Sequence, residues 1–215
     1  MRRLGAKLQH TSLKRHTVLV EESRAPPQIY FPETALVSLV KTMHDGRIAE
    51  VGAVGQEGLV GVPVLLGMNQ PSFEAIVQVD GSAHRVDSSW LHAEVDRSDF
   101  LRELVLRYME YSVSQIAQTA ACNRLHSLRQ RCCRWLLTTQ DNVQSATFTL
   151  THEFLALMMG VNRPPLSITL KRLQDVGIIK YRYTHVTISD RQALEKGSCE
   201  CYDTLRREAD LVYSS

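Results

Sequence analysis

An α+β chain is predicted, β-rich in its first half and helical afterwards, on three observations. Up to about Asp96, short β-prone runs alternate with glycine-bearing turns. From Ser98 the apolar residues switch to helical spacing. Near the end, two short helical segments around Gly160 precede a pair of β-prone runs.

The β-prone segments are IYFPETALVSLVKTM, RIAEVGAV, GLVGVPVLL, FEAIVQV and SAHRVD. His44–Asp45–Gly46, Gly55–Gln56–Glu57–Gly58, Gly67–Met68–Asn69–Gln70–Pro71 and Asp80–Gly81 separate them. Strands at intervals of about 8–12 residues with such turns predict a sandwich or barrel, with a hairpin turn at His44–Gly46. Ser88–Glu94 reads as a short helix.

From 98 to 123 the period is helical, with Ser98 or Asp99 able to cap. Leu101, Leu104, Tyr108, Tyr111, Gln115, Gln118 and Cys122 recur at alternating intervals of three and four, the spacing of a coiled-coil seam. Val105, Met109, Ser112, Ile116 and Ala120 form a second stripe on the adjacent face. A helix apolar on two faces can pack one on its own domain and the other on a second copy; the sequence does not say which stripe meets the partner, and the seam is carried as the candidate dimerisation set. Leu125–Thr139 reads as a further helix, with Leu125, Leu128, Cys132, Trp135 and Leu136 on one face. The polar stretch Gln140–Thr147 reads as a boundary.

Thr151–Gly177 carries the most information. Thr151 can cap a first helix, and Gly160 can take the positive φ that ends it. Leu155, Met159, Val161 and Leu166 have the spacing to be buried between two crossed helices, and Ala156 is small where they pass close. From Val161 to Arg182 there are five Lys or Arg and one acid, Asp175. A basic second helix that begins with Asn162, Arg163 and Ser167 suits phosphate and base-edge contacts. Ile178–Tyr181 and Val186–Ile188 then form a hairpin, giving the winged-helix order. Lys180, Arg182 and His185 fall on that wing, where phosphate contacts add affinity without reading sequence. Arg191–Val212 is a final helical region broken near Gly197.

Composition agrees with a soluble globular protein: 44% of its 215 residues are hydrophobic and 22% charged. The net charge of +2 excludes a nucleic-acid coat, so positive charge is local. No run approaches the ~20 apolar residues of a membrane helix, nor is there a signal-like apolar core near the start, which points to the cytoplasm. Five cysteines, an odd number, then argue for free thiols, metal or redox chemistry before disulfides. Cys199 and Cys201 are weak metal candidates because no second ligand pair is evident. Cys132 and Cys133, about 100° apart on a helix, read as packing residues.

This arrangement resembles the cyclic-AMP receptor/FNR (Crp/Fnr) family of bacterial transcription regulators from about Leu13 to Tyr202. The resemblance rests on IYFPETALVSLV, VGQEGLVGVPVLLG, QTAACNRLHSLRQRCCRWLL, LTHEFLALMMGVNRPPLSITLKRLQDVGIIKY and the late CECY. It implies a cyclic-nucleotide-binding-like β-roll (jelly roll) over 1–97, its first dozen residues a shortened replacement for the usual leading helix. A dimerisation helix over 98–123 follows, then a hinge and first DNA-domain helix over 124–141 and a winged helix-turn-helix over 142–215. The implied partners are double-stranded DNA and a second copy of the chain, with RNA polymerase a further candidate and no membrane.

By this resemblance Arg163 takes the place of the arginine that reads a guanine edge through O6 and N7. Thr151, His152, Asn162, Pro164, Ser167, Lys171, Lys180, Arg182 and His185 complete the DNA-binding set. Pro164 and Pro165 depart from the familiar Glu and Ser/Thr and Ile168 stands near the place of a second base-reading arginine, so the operator should differ from TGTGA or TTGAT half-sites. In the family's cyclic-nucleotide binders a Gly-Glu pair holds ribose and an Arg-Ser/Thr pair holds phosphate. Here Gly61 is followed by Val62, Ser72 has no neighbouring arginine, and no Lys or Arg lies between Arg47 and Arg85. A buried phosphate without a cation is costly, so cyclic AMP is disfavoured for a pocket of Gly61, Val62 and Ser72. An iron–sulfur cluster is disfavoured because no cysteine precedes Cys122, and heme because the histidines are scattered. No cofactor is expected and the effector stays unassigned. The alternatives are a protein–protein adaptor that keeps the fold, supported by the two prolines, and a cupin-type metal enzyme, which the β region lacks the His/Glu spacing to support.

Overall fold

The computed structural model describes residues 2–213. The first half holds α1 (Arg2–Gly5), β1 (Gln9–Leu13), β2 (Val18–Val20), β3 (Gln28–Pro32), β4 (Leu36–Thr42), β5 (Ile48–Val54), α2 (Val62–Leu65), β6 (Glu74–Val79) and β7 (Gly81–Asp87). The helices α3 (Ser88–Arg97), α4 (Asp99–Leu125) and α5 (Leu128–Val143) follow. The C-terminal part holds β8 (Thr147–Thr149), α6 (His152–Met158), α7 (Arg163–Asp175), β9 (Ile179–Arg182), β10 (His185–Ile188), α8 (Arg191–Gly197) and α9 (Cys201–Tyr213).

Strands β1–β7 form two antiparallel sheets, ordered β2-β6-β4-β5 and β1-β7-β3. Leu13, Val20, Val37, Leu39, Val54, Val77 and Ala83 fill the space between them. Strand β4 is buried on both faces: Val37 and Leu39 belong to this core, whereas Leu36 and Val40 belong to the cluster built by α5 and the C-terminal domain. That second covering explains why LVSLV carries apolar residues on both faces around Ser38 rather than alternating with exposed polar ones.

A polar chain crosses the same layer. Glu50 Oε2 lies 2.6 Å from Ser38 Oγ, Ser38 Oγ lies 2.5 Å from Gln78 Oε1, and Gln78 Nε2 donates to Thr139 Oγ1 at 3.4 Å. Thr139 in turn donates to the Trp135 carbonyl at 2.9 Å. Burial pushes the Glu50 carboxyl up to about 7 against the opposing pull of Ser38 and Arg134. A protonated Glu50 can donate to Ser38, leaving the Ser38 hydroxyl to donate to Gln78, so a proton on Glu50 satisfies the chain throughout.

Three differences from the sequence reading have local causes. The GLVGVPVLL run contains α2 rather than only strand, since Gly61 adopts φ +104° at its N-cap and a proline occupies its first turn. Helix α5 continues to Val143 through part of the polar stretch that reads as a boundary, because Thr139 and Asn142 are buried. Asn142 reaches so close to Gly55 that a Cβ there would lie 1.5 Å from Asn142 Oδ1. Strand β8, hydrogen-bonded to β10, extends the expected hairpin to three strands.

The 27-residue helix α4 starts where Ser98 Oγ accepts from Leu101 N at 3.3 Å. It turns into α5 at His126, where Ser127 and Gln130 form a capping box. The seam expected to face a partner turns inward instead. Tyr108, Tyr111, Gln115 and Cys122 are buried in this chain, and Leu101, Leu104 and Gln118 are half-buried. Gln115 donates to the Ala53 carbonyl and accepts from Ala53 N, both at 3.0 Å, while Tyr108 packs so near Gly58 that a Cβ there would meet its hydroxyl at 2.3 Å. The physical reason is that β5, the following turn and α9 already cover this stripe. The face of α4 left exposed carries Leu106, Val113, Ile116, Ala117 and Ala120. Among the described residues no helix is long and apolar enough to cross a membrane.

Candidate nucleic-acid interface

Thr151 caps α6, its Oγ1 accepting from Phe154 N at 3.2 Å. Phe154, Leu155, Ala156 and Met158 face inward, and Gly160 takes φ +62° in the turn. The small Ala156 lets the chain double back, with Val161 N donating to its carbonyl at 3.0 Å. Helix α7 then begins at Arg163 with Pro164 and Pro165 in its first turn, where missing N–H groups cost nothing. Leu166, Leu170 and Leu173 anchor it in the core, so the intervening residues form the outer face.

That outer face holds Asn162, Arg163, Pro164, Pro165, Ile168, Lys171 and Arg172, all exposed. The Asn162 side chain makes no capping bond. Arg163 Nη1 rests 2.9 Å from Glu153 Oε1 on α6, an exposed pair worth little in water and open to exchange for a stronger acceptor. Lys171 Nζ pairs with Asp175 at 3.0 Å, one turn on. Ser167 Oγ lies 2.8 Å from His152 Nδ1, and the His152 ring meets Tyr181 edge-on at 4.7 Å. Burial, then the nearby Arg163 charge, lowers the His152 pKa and favours the neutral ring. His152 therefore ties α6 to α7 and β9 as a positioning group. On the wing, Lys180, Arg182 and His185 are exposed, and the tip residue Tyr183 takes φ +56° where a glycine is usual.

A family model, the Crp-like helix-turn-helix domain, matches residues 130–196. This chain carries a Crp-like helix-turn-helix domain. The match includes α5, which packs against α7, β8 and α8 as part of the DNA domain. The whole fold is that of Crp/Fnr proteins. A CRP-family transcriptional regulator from Thermus thermophilus aligns with TM-score 0.72 and 21% identity, covering 87% of this chain and 96% of that one. FixK2 from Bradyrhizobium japonicum aligns with TM-score 0.74 and 15% identity over 89% and 98%. The c-di-GMP responsive global regulator CLP of Xanthomonas campestris aligns with TM-score 0.67 and 16% identity over 87% and 96%. A comparison with curated proteins gives no match.

In the Crp-like β-roll the three pocket candidates occupy different settings. Gly61 lies against Ile29 and Pro26, and Val62 is buried with Tyr108, Tyr111 and Val212. Ser72 is exposed, and its carbonyl accepts from Lys41 Nζ at 2.6 Å. Lys41 is thus a cation near Ser72 that the count between Arg47 and Arg85 misses, but it also pairs with Glu22. A separate apolar cavity of about 220 Å³ lies between α3, α4 and the roll, with Phe31, Leu65, Leu91, Leu101, Leu104 and Tyr108 in its wall.

The cysteine candidates are not alone. Cys199 and Cys201 meet Cys122 and His126 from the end of α4, and the four ligand atoms all lie within 4.8 Å of one another. Cys122 and His126 are one helical turn apart, a spacing that places both on one face and was available as a signal. Cys132 and Cys133 are buried in the core, where burial pushes both thiols up.

Proposed function

We propose that this protein is a sequence-specific DNA-binding transcription regulator of the Crp/Fnr type that acts as a homodimer on a pseudo-palindromic operator. The exposed, cationic outer face of α7 beside the basic wing carries this reading. Arg163 reads a guanine edge, Asn162, Ser167 and Lys171 sit over the adjoining bases and phosphates, and Lys180, Arg182 and His185 grip the flanking backbone. Pro164 has no acceptor for a cytosine amino group, so the half-site departs from those read by a glutamate at this place. The second copy docks on the Leu106, Val113 and Ile116 face of α4, spacing two recognition helices about one DNA turn (~34 Å) apart.

The effector is not a cyclic nucleotide in this reading. Val62, which by the resemblance stands in place of the ribose-binding Glu, is apolar and buried with Tyr108 and Tyr111, and Glu22 already engages the one cation near Ser72 among the described hydrogen bonds. The protein is not an enzyme in this reading. Among the described residues, the one group of His, Cys, Asp and Glu with metal-ligand geometry lies outside the β-roll, where a cupin would need it.

Selection of binding sites from a random DNA pool with the purified protein and no added ligand tests the proposal. Enrichment of a palindromic motif supports it and gives the half-site. Recovery of non-specific DNA alone, with and without small-molecule extracts, would favour an adaptor that keeps the fold.

A further inference from the structure

We propose that Cys122, His126, Cys199 and Cys201 bind one divalent ion of the zinc class, which clamps the end of α4 to the start of α9. The inference stands apart from the DNA reading, since it rests on this cluster alone.

Two of the ligand separations equal the edges of a tetrahedral site, and all four ligand atoms lie within 4.8 Å of one another. Zinc–sulfur and zinc–nitrogen bonds of about 2.3 and 2.0–2.1 Å set tetrahedral ligand edges of about 3.8 Å between sulfurs and about 3.6 Å from sulfur to nitrogen. Cys122 Sγ and Cys199 Sγ are 3.6 Å apart, and Cys201 Sγ lies 3.5 Å from His126 Nδ1. An iron–sulfur cubane would hold its cysteines further apart, because each ligates a different iron. Three thiolates and one imidazole form the Cys₃His donor set of structural zinc sites, with no position left for water.

The surroundings are also arranged as a metal site requires. His126 Nε2 lies 3.2 Å from Glu200 Oε1, which fixes the tautomer and leaves Nδ1 facing the sulfurs. Gln118 Nε2 donates to Cys201 Sγ at 2.9 Å, the kind of hydrogen bond that supports a thiolate. A redox disulfide between Cys122 and Cys199 would use neither His126, Glu200 nor Gln118. All three cysteines are buried and His126 is half-buried, so the site is closed. Binding converts three thiols to thiolates and releases up to three protons to solvent.

The placement gives the ion a task. Helix α4 ends at Leu125 and His126 caps it, where the chain bends into the Crp-like domain, and α9 follows that domain. Joining the two ends adds a fixed point to the packing of α9 along α4, where Ser114 also donates to Glu208 at 2.7 Å, and so sets how the DNA-binding part is held against the long helix.

The test is metal analysis of the full chain, purified with reductant and without chelator from zinc-supplemented culture. The expected result is one zinc per chain, released when the thiols are blocked. After exchange, cobalt(II) should give the sulfur-to-metal charge-transfer and intense visible bands of a tetrahedral thiolate site. Cys201→Ser and Cys199→Ser should lose the ion, His126→Cys should keep it, and Cys133→Ser should leave the zinc content of the folded protein unchanged. Glu200→Gln should weaken zinc about 10–100-fold in competition with a chelator. The wild-type cobalt spectrum decides even if the cysteine variants fail to fold. Folded wild-type protein that takes up neither zinc nor cobalt would overturn the proposal, as would a Cys122–Cys199 disulfide in freshly isolated, metal-free protein.

Discussion

Replacing Leu106 and Val113 together by alanine should separate the two copies of the proposed dimer without unfolding either. Full burial of a leucine or valine is worth about 1.5–3 kcal/mol. Leu106 is 55% and Val113 61% exposed in the single chain, so roughly half of that, about 1 kcal/mol each, remains to be gained against a partner. In a two-fold interface each position occurs twice, so four truncated side chains remove about 3–4 kcal/mol. That is a rise of about 10²–10³-fold in the dimer dissociation constant. Sedimentation equilibrium over a concentration series reads it directly, and far-UV circular dichroism should show unchanged helix content. Tyr108→Ala is the contrast: it empties a site buried within the chain and should lower stability. An association constant unchanged within threefold in the double variant would refute this assignment of the face.

Other expectations follow from particular contacts. Glu50, raised to about 7 from its ordinary 4.5, binds its proton more tightly folded than unfolded. Its cost is absent below about pH 4.5 and grows as pH rises to about 7, so Glu50→Gln should flatten the thermal stability profile in that window; an unchanged profile would count against a protonated Glu50. Gln115→Leu leaves Ala53 N–H and C=O without their partner and should cost about 1–3 kcal/mol in a urea titration, whereas no loss would mean water replaces the amide. Lys180→Ala with Arg182→Ala should weaken specific and non-specific DNA alike and flatten the salt dependence by about 1 in slope per phosphate contact removed; a selective loss at one base would contradict a backbone role for the wing.

The fold was legible where side chains announce both period and termination. The Thr151 cap, the Gly160 turn and the leucines of α7 each specify one local geometry, and the helix-turn-helix follows from them. Ser98 likewise marks the start of α4. The direction of α4's faces was not legible, since Leu101–Cys122 and Leu106–Ala120 are both apolar. The packing of α9 and the close approaches at Gly58 and Gly52, where a Cβ would meet the Tyr108 hydroxyl at 2.3 Å and Gln115 Oε1 at 2.5 Å, decide which face turns inward. Strands β1 and β2 gave little signal because QHTSL is mostly polar and VLV is three residues long. The cysteine site joins residues 77 apart, a juxtaposition that no local pattern encodes, although Cys122 and His126 one turn apart were half of it.

Arg163 bears the central claim most directly. The measurement is the ratio of affinities for the selected operator and for a scrambled duplex, taken by fluorescence anisotropy at one fixed salt for the wild type and Arg163→Ala. Loss of about 1–3 kcal/mol of discrimination per half-site, with non-specific binding nearly kept, is the predicted result. Equal discrimination by both proteins would contradict a recognition role for α7.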